Sequence, residues 1–271
     1  MLIPVIIVGG IGLICSVVLV IAAKVMALPA DELFDKVRAE LPGANCGACG
    51  YAGCDDYAKA VAHSGAKTNL CVPGGAACAQ AVSAAMGVAA EDVEEQYAIV
   101  RCSGNCQATQ PAVDYEGERT CAACSTFYRG KGSCTYGCMG YGDCVAACQY
   151  EAISIVDGVA MVDKSACVGC GMCAKACPNH LIAIVPKSST IFVGCSSHDK
   201  GAVTRKVCQN GCIGCKKCEK TCEFGAITVT DNLAAIDPKK CTGCGSCVTA
   251  CPTGAIVTCV SRCETVVGKG A

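Results

Sequence analysis

The feature that most constrains the fold is a run of four cysteines with the spacing C-x2-C-x2-C-x3-C, followed directly by proline, which occurs twice. The two runs consist of Cys167, Cys170, Cys173 and Cys177, and of Cys241, Cys244, Cys247 and Cys251. Such a run places three thiolates around one iron–sulfur cluster and sends the fourth to a neighbouring cluster. The runs therefore predict ferredoxin units that each hold two clusters.

Composition also favours metal ligation over an ordinary core. The chain of 271 residues contains 30 cysteines, no tryptophan and 4 % aromatic residues. Disulfides in a secreted protein or thiolate–metal bonds in a reducing compartment could supply the missing stability. The repeated ferredoxin spacing favours the metal, and iron over zinc, because zinc motifs rarely cross-link in this way. The net charge of −1 gives no indication of a nucleic-acid partner.

The second half of the chain is an internal repeat with an offset of 74 residues. The offset relates the two runs and also pairs Cys148 with Cys222, Cys144 with Cys218, Cys138 with Cys212, Cys134 with Cys208, and Cys121 with Cys195. Each unit contains two short alternating segments around an Asp-Gly or Asp-Asn turn, "EAISIVDGVAMVD" and "GAITVTDNLAAID". These segments predict β-hairpins between the cysteine runs, with short helices after the third cysteine of each run.

Crossed ligation then assigns the cysteines to clusters. The second unit is expected to use one set of Cys212, Cys215, Cys218 and Cys251 and another of Cys241, Cys244, Cys247 and Cys222. The first unit is expected to use Cys167, Cys170, Cys173 and Cys148 for one cluster, and Cys138, Cys144 and Cys177 for part of the other.

The fourth ligand of that last cluster is not given by the repeat, because Tyr141 stands at the position of Cys215. The nearest spare thiol is Cys134, and neighbouring glycines would let the chain bend it inwards. We therefore expect Cys134 to be the ligand. A three-iron cluster is the alternative, and Cys208, which persists beside a complete run, leaves room for a different role of this position.

Other cysteines are less constrained. The group Cys102, Cys106, Cys121 and Cys124 could hold a further cluster, or its members could be buried as small apolar residues. Cys78, Cys259 and Cys263 follow no usable pattern. We find no catalytic triad, paired catalytic carboxylates, phosphate-binding loop or flavin signature, so the sequence predicts an electron carrier without flavin or NAD of its own.

The N-terminal segment differs from the rest. Residues 2–23 carry no charge, and this stretch is long enough for a membrane-spanning helix. A cleaved signal peptide is the competing interpretation, although no basic residue precedes the segment. Lys24, Lys36 and Arg38 follow it and predict that the remainder is cytoplasmic. After this segment, helical patterns surround Cys46, Cys49, Cys54 and Cys71, which predict a small helical cluster domain.

The order of these parts resembles the B subunits of Rnf complexes. The segment "NCGACGYAGCDDYAKA" resembles the small Fe4S domain of that family, and "SCTYGCMGYGDC" resembles its departure from the usual ferredoxin run. The doubled ferredoxin region resembles the longer, clostridial type. The resemblance implies a subunit of an Na⁺- or H⁺-translocating ferredoxin:NAD oxidoreductase, which would take electrons from reduced ferredoxin and pass them to membrane subunits. The alternative is a membrane-anchored polyferredoxin of another complex, such as a hydrogenase or formate dehydrogenase.

The predicted fold class is α+β, with one transmembrane helix, a helical Fe4S domain and tandem ferredoxin units. The expected divisions are a membrane anchor (1–28), an Fe4S domain (29–90), a connecting segment (91–130), the first dicluster unit (131–193), the second (194–258) and a C-terminal tail (259–271). By resemblance, the cluster of Cys46, Cys49, Cys54 and Cys71 lies nearest the membrane. The total is about five [4Fe–4S] clusters, or six if the Cys102 group holds one.

Overall fold

The computed structural model describes residues 2–25, 31–126 and 129–259, with side chains of the first helix described for 9–22. The helices are α1 (Leu2–Val25), α2 (Glu32–Ala39), α3 (Cys54–Ser64), α4 (Gly75–Met86), α5 (Cys121–Ser125), α6 (Asp143–Ala146), α7 (Met172–Ala176), α8 (Gly201–Val207), α9 (Lys217–Thr221) and α10 (Ser246–Ala250). The strands are β1 (Gln96–Val100), β2 (Ile153–Val156), β3 (Val159–Val162), β4 (Ile182–Pro186), β5 (Ile191–Val193), β6 (Ile227–Thr230), β7 (Leu233–Ile236) and β8 (Ile256–Thr258).

Helix α1 presents apolar side chains to its surroundings. Ile11, Leu13 and Leu19 are all more than half exposed. Within the part of the chain that the structure describes, no helix has both the length and the apolar character needed to cross a membrane. Parts of the predicted anchor and most of the predicted C-terminal tail, including Cys263, lie outside the described residues.

Helices α2, α3 and α4 form a small domain of their own. Val37, Val61 and Val82, one from each helix, are fully buried against one another. Asp31 begins α2 by accepting a hydrogen bond from the Phe34 N–H, which satisfies one of the amides left open at a helix start. This packing holds the loops that carry the first cysteine group.

Each ferredoxin unit contains the predicted hairpin. Strands β2 and β3 pair antiparallel, and β6 and β7 pair in the same register 74 residues later. Asp157 and Gly158 at one turn, and Asp231 and Asn232 at the other, all have positive φ, as the tight turn that fits the strand twist requires. The hairpin prediction is confirmed. The third cysteine of each run lies within the first turn of α7 or α10 rather than before it.

A second strand pair completes each unit and joins it to the rest of the chain. Strand β1, from the segment expected to be a connection, pairs antiparallel with β4, and β5 pairs antiparallel with β8. Val100 lies opposite Ile182, and Val193 lies opposite Ile256. Because Ile182 and Ile256 are repeat equivalents, β1 and β5 are structural equivalents as well, although 93 residues separate them.

Candidate iron–sulfur cluster sites

The second unit shows the arrangement that a complete run produces. Cys212, Cys215, Cys218 and Cys251 line one cavity of about 340 Å³. Burial raises the pKa of Cys218 to about 11, and the neighbouring thiols of the other three add to the effect. Thiols repel one another's ionisation in this way only at short range. Four thiols around one space are the donor set that a [4Fe–4S] cluster uses.

The other three-cysteine corner of the second unit is assembled in the same manner. Burial raises the pKa of Cys247, with further contributions from the neighbouring thiols of Cys241, Cys244 and Cys222. Cys222 comes from the opposite end of the unit's sequence, as crossed ligation predicts. Cys244 is exposed, so this site lies close to the protein surface.

The first unit brings together its complete run and the cysteine expected from crossing. Burial raises the pKa of Cys173 to about 12, and the thiols of Cys167, Cys170 and Cys148 contribute. The Cys167 sulfur also accepts a hydrogen bond from the Ala98 N–H at 3.4 Å. Amide donors to the sulfurs are a recognised way in which a protein adjusts cluster potential.

The remaining site of the first unit is completed by a cysteine that the repeat did not indicate. Cys121, Cys138, Cys144 and Cys177 line a cavity of about 390 Å³ that corresponds to the cavity of the second unit. Burial raises the pKa of Cys144 to about 12, and the thiols of Cys138, Cys121 and Cys177 contribute in that order. Cys134, the expected fourth ligand, does not line this cavity.

Two contacts place Cys121 at this cavity. It begins helix α5, whose first two amides, those of Cys121 and Ala122, donate to the Asp143 carboxylate at 2.7 and 2.9 Å. Tyr141 instead packs outside the cavity, with its ring centroid 6.1 Å from that of Tyr115 and 4.1 Å from Lys131 Nζ. The thiol missing from position 141 is thus supplied from a separate segment.

The small helical domain gathers the first cysteine group. The pKa of Cys49 is raised by burial, and the thiols of Cys71 and Cys46 contribute. Cys54 begins α3, and its N–H donates to the Asn45 side chain at 2.8 Å. A fifth cysteine, Cys78, is hydrogen-bonded to Cys71 and raises its pKa. Spacing alone gave no reason to place Cys78 here.

This domain lies against the first ferredoxin unit. Lys175 on α7 donates from Nζ to the Cys46 carbonyl at 2.7 Å. Burial raises the pKa of Cys170, and the largest Coulombic contribution comes from Cys46. Burial also raises the pKa of Tyr150, which faces Cys170 and Cys46. The two cysteine sites are therefore neighbours.

The structure does not bring Cys102, Cys106, Cys121 and Cys124 together. Cys106 is exposed, and its N–H donates to the Asp157 carbonyl at 2.9 Å. Cys124 is fully buried against Met139 in a small apolar cluster. Cys102 lies in a different cavity with Cys134, Cys195 and Cys208.

The donor sets fit iron–sulfur clusters. The described cysteines form no disulfides with one another, and the described residues include no group of three or more Cys, His, Asp or Glu side chains arranged around a single metal ion. What the thiols surround instead are cavities of several hundred Å³, in two cases lined by four cysteines from two parts of the chain. Such spaces, with thiols on every side, suit a cluster.

Comparisons with known proteins agree with this chemistry. Residues 41–73 match the family described as "Putative Fe-S cluster", 160–183 match "4Fe-4S binding domain", and 211–255 match "4Fe-4S dicluster domain".

Curated relatives cover most of the chain, and the three described here are all B subunits. The chain is 44 % identical over 86 % of its length to that of the ion-translocating oxidoreductase complex of Methanosarcina acetivorans, covering 88 % of that protein. It is 42 % identical over 88 % of its length to that of the Na⁺-translocating ferredoxin:NAD⁺ oxidoreductase complex of Acetobacterium woodii, covering 72 % of it. It is 44 % identical over 84 % of its length to the proton-translocating counterpart of Clostridium ljungdahlii, covering 81 % of it. The chain belongs to the family of B subunits of ion-translocating oxidoreductase (Rnf) complexes.

Proposed function

We propose that this chain is the electron-transfer subunit of an ion-translocating ferredoxin:NAD oxidoreductase, in which it relays electrons from reduced ferredoxin towards membrane subunits. The observation that carries the proposal is the succession of cysteine sites, in which the site of the helical domain adjoins the first ferredoxin unit. The names of the Acetobacterium and Clostridium relatives support ferredoxin and NAD as the redox partners of the complex.

Five cysteine sets are proposed as ligands of [4Fe–4S] clusters. They are Cys46, Cys49, Cys54 and Cys71; Cys148, Cys167, Cys170 and Cys173; Cys121, Cys138, Cys144 and Cys177; Cys212, Cys215, Cys218 and Cys251; and Cys222, Cys241, Cys244 and Cys247. The third set names Cys121 in place of Cys134, because Cys121 lines the cavity and Cys134 does not.

When bound, each cluster takes up and releases one electron without making or breaking a bond to a substrate. The protein's part is to hold the thiolates, exclude water and set the potential through amides and charges near sulfur. Cys167 and Cys173 are buried and Cys167 accepts an amide N–H, whereas Cys215 and Cys244 are exposed. The exposed thiols belong to the second unit, which suits that unit to exchange electrons with a separate protein.

The second unit also carries positive charge where a soluble carrier could dock. Lys216 and Lys217 follow Cys215, Lys220 lies one turn further along α9, and Lys239 and Lys240 precede Cys241. All five side chains are exposed. A carrier whose clusters and thiolates add negative charge would be attracted to this surface. We therefore propose it as the docking site for reduced ferredoxin.

At the opposite end, residues 1–28 are proposed as a single membrane anchor with the cluster domains on the cytoplasmic side. The support is the uncharged sequence of residues 2–23, the exposed apolar side chains of α1 and the basic residues that follow. The Fe4S domain (29–90) follows the anchor directly in the chain, so it is proposed as the exit towards the membrane subunits.

The proposal is tested by reducing the purified complex with ferredoxin and recording EPR spectra. Signals of reduced [4Fe–4S] clusters, together with iron and sulfide in equal amounts, are expected. Zinc without a reducible signal would refute electron transfer. Identification of the subunits that co-purify with the tagged chain separates an Rnf complex from a hydrogenase or formate dehydrogenase.

A further inference from the structure

Four cysteines that the five sites leave unused converge on one cavity between the two ferredoxin units. They are Cys102, Cys134, Cys195 and Cys208. The cavity measures about 480 Å³, compared with about 390 and 340 Å³ for the two ferredoxin cavities lined by four cysteines. A Cβ atom built on Gly104 would lie 3.4 Å from the Cys208 sulfur and 3.7 Å from the Cys102 sulfur. Thiols from distant parts of the chain therefore face the same point.

The two units contribute equivalent pairs to this cavity. Cys102 follows strand β1 by two residues, and Cys195 follows the equivalent strand β5 by two residues. Cys134 and Cys208 each precede the first cysteine of their run by four residues. The four sulfurs are thus related by the internal repeat, which places the cavity on the junction between its two copies.

Backbone amides point at the sulfurs in a repeated pattern. The Cys138 N–H donates to the Cys102 sulfur at 3.4 Å, and the Ser197 N–H donates to the Cys195 sulfur at 3.5 Å. Burial raises the pKa of Cys134 and of Cys208, and this is opposed by the N–H two residues further on, of Tyr136 and Asn210.

The same donor position occurs at cysteines of the ferredoxin and Fe4S sites. The Met172 N–H faces the sulfur of Cys170, and the Tyr51 N–H faces that of Cys49. An amide two residues after the cysteine is therefore shared by the new cavity and by the ligand runs. Such donors favour the thiolate that a metal requires.

An unsatisfied positive group borders the cavity. Arg101 is one of its lining residues, and the Arg101 Nε atom is shielded from solvent without a hydrogen-bond partner among the described residues. A buried guanidinium N–H without an acceptor is costly. An anionic group in the cavity would offset that cost, and a cluster with four thiolates carries net negative charge.

Burial as small apolar residues does not account for these cysteines. Cys124 shows what that role looks like, since it is fully buried among Met139 and tyrosine side chains and lines none of the cysteine cavities. Around the other four thiols, serine, threonine and asparagine residues and Arg101 contribute to the lining, and an open space remains. This is a polar, thiol-lined site.

We propose that Cys102, Cys134, Cys195 and Cys208 bind a sixth [4Fe–4S] cluster that joins the two dicluster units into one electron path. On one side Cys102 accepts the amide of Cys138, a ligand of the first unit, and on the other Cys195 accepts that of Cys212, a ligand of the second. A transfer through the site oxidises one neighbouring cluster by one electron and reduces the other by the same electron, with no proton or bond involved. The inference rests on the proposed function.

The first test uses the unmodified chain within its complex. Six clusters predict about 24 iron and 24 sulfide per chain, whereas five predict about 20. Mössbauer spectra establish that the iron is in cubane clusters. A count of five would overturn the sixth site and leave the proposed function intact, whereas a chain without reducible clusters would overturn both.

Variants then assign the extra cluster to its ligands. Cys208→Ala and the double variant Cys134→Ala/Cys208→Ala should each lose about four iron atoms and no more, because both disrupt one site. Cys106→Ala, an exposed cysteine of the same region, is the matched control and should lose none. Full iron retention in the double variant would overturn the assignment. If a variant loses all its clusters, the count in the unmodified chain decides.

Discussion

The two ferredoxin units share their hairpins and their 74-residue register but differ in the segment that leads into the first cysteine run. In the first unit 32 residue positions separate Cys102 from Cys134, whereas in the second 13 separate the equivalent Cys195 from Cys208. The longer segment carries Cys121, which lines the cavity that Tyr141 leaves without its fourth thiol. The comparison shows that a ligand is defined by its position around the cluster and not by its place in the run.

The largest effect is expected from removing the fourth thiol in either unit. Cys121→Ala and Cys215→Ala should each eliminate one [4Fe–4S] cluster, with loss of one to about four iron atoms depending on whether a three-iron cluster remains. The reason is that each site then has three thiolates. Iron analysis and EPR of the oxidised protein, which detects three-iron clusters, measure the outcome.

Additivity separates Cys121 from Cys134. If the two residues serve different clusters, Cys121→Ala/Cys134→Ala loses two clusters, and each single variant loses one. Should the double variant lose only the cluster that a single variant loses, both residues serve the same site and the placement of Cys121 is wrong.

A rescue experiment sharpens the comparison by making the first unit resemble the second. Tyr141→Cys in a Cys121→Ala background should restore the lost cluster, because position 141 corresponds to Cys215. Loss of the Tyr141 contacts with Tyr115 and Lys131 should cost about 1–2 kcal/mol of stability. Iron content reports the rescue, and thermal unfolding reports the cost. Tyr141→Ser in the same background, which offers no thiolate, is the control and should remain depleted.

Equivalent glycines provide a test of the framework that the units share. Gly140 and Gly214 have φ of +74° and +64°, and an added Cβ would lie 2.6 Å from the Gly158 carbonyl oxygen and 2.9 Å from Asn232 Cα, respectively. Gly140→Ala and Gly214→Ala should each destabilise the protein by about 1–3 kcal/mol, through backbone strain and contact with the hairpin turn. Gly158 also has a positive φ, but a Cβ there meets nothing within 4 Å, so the smaller effect of Gly158→Ala isolates the strain. Equal losses of unfolding free energy in all three would exclude the contact with the turn.

Much of this organisation follows from the sequence, because covalent ligand spacing is a local property. The complete runs, the crossed partners Cys148 and Cys222, and the hairpins were all predicted from spacing and turn residues. Cys121 was not, since the 74-residue offset pairs it with Cys195, whereas the strand register pairs Cys195 with Cys102. An insertion shifts the register from 74 to 93 residues at this point. Only the pairing of β1 with β4 and of β5 with β8 reveals the shift.

The smallest effect is expected at the contact that positions Cys121. The Asp143 carboxylate accepts the amides of Cys121 and Ala122 through separate oxygens, and Asp143→Asn keeps only one acceptor oxygen. The lost charge-assisted hydrogen bond should cost about 1–2 kcal/mol and loosen α5 without removing the thiol. We therefore expect full iron content but faster release of the iron of this one cluster to a chelator.

The second unit supplies the control for this change. Its equivalent of Asp143 is Lys217, and its fourth thiol, Cys215, is held within the run itself. Lys217→Asn should therefore leave the rate of iron release unchanged. Equal rates in Asp143→Asn and the unmodified protein would mean that the fourth thiol of the first unit does not depend on α5. Faster release in Asp143→Asn alone would show that a ligand borrowed from another segment is only as firmly held as the contact that orients that segment.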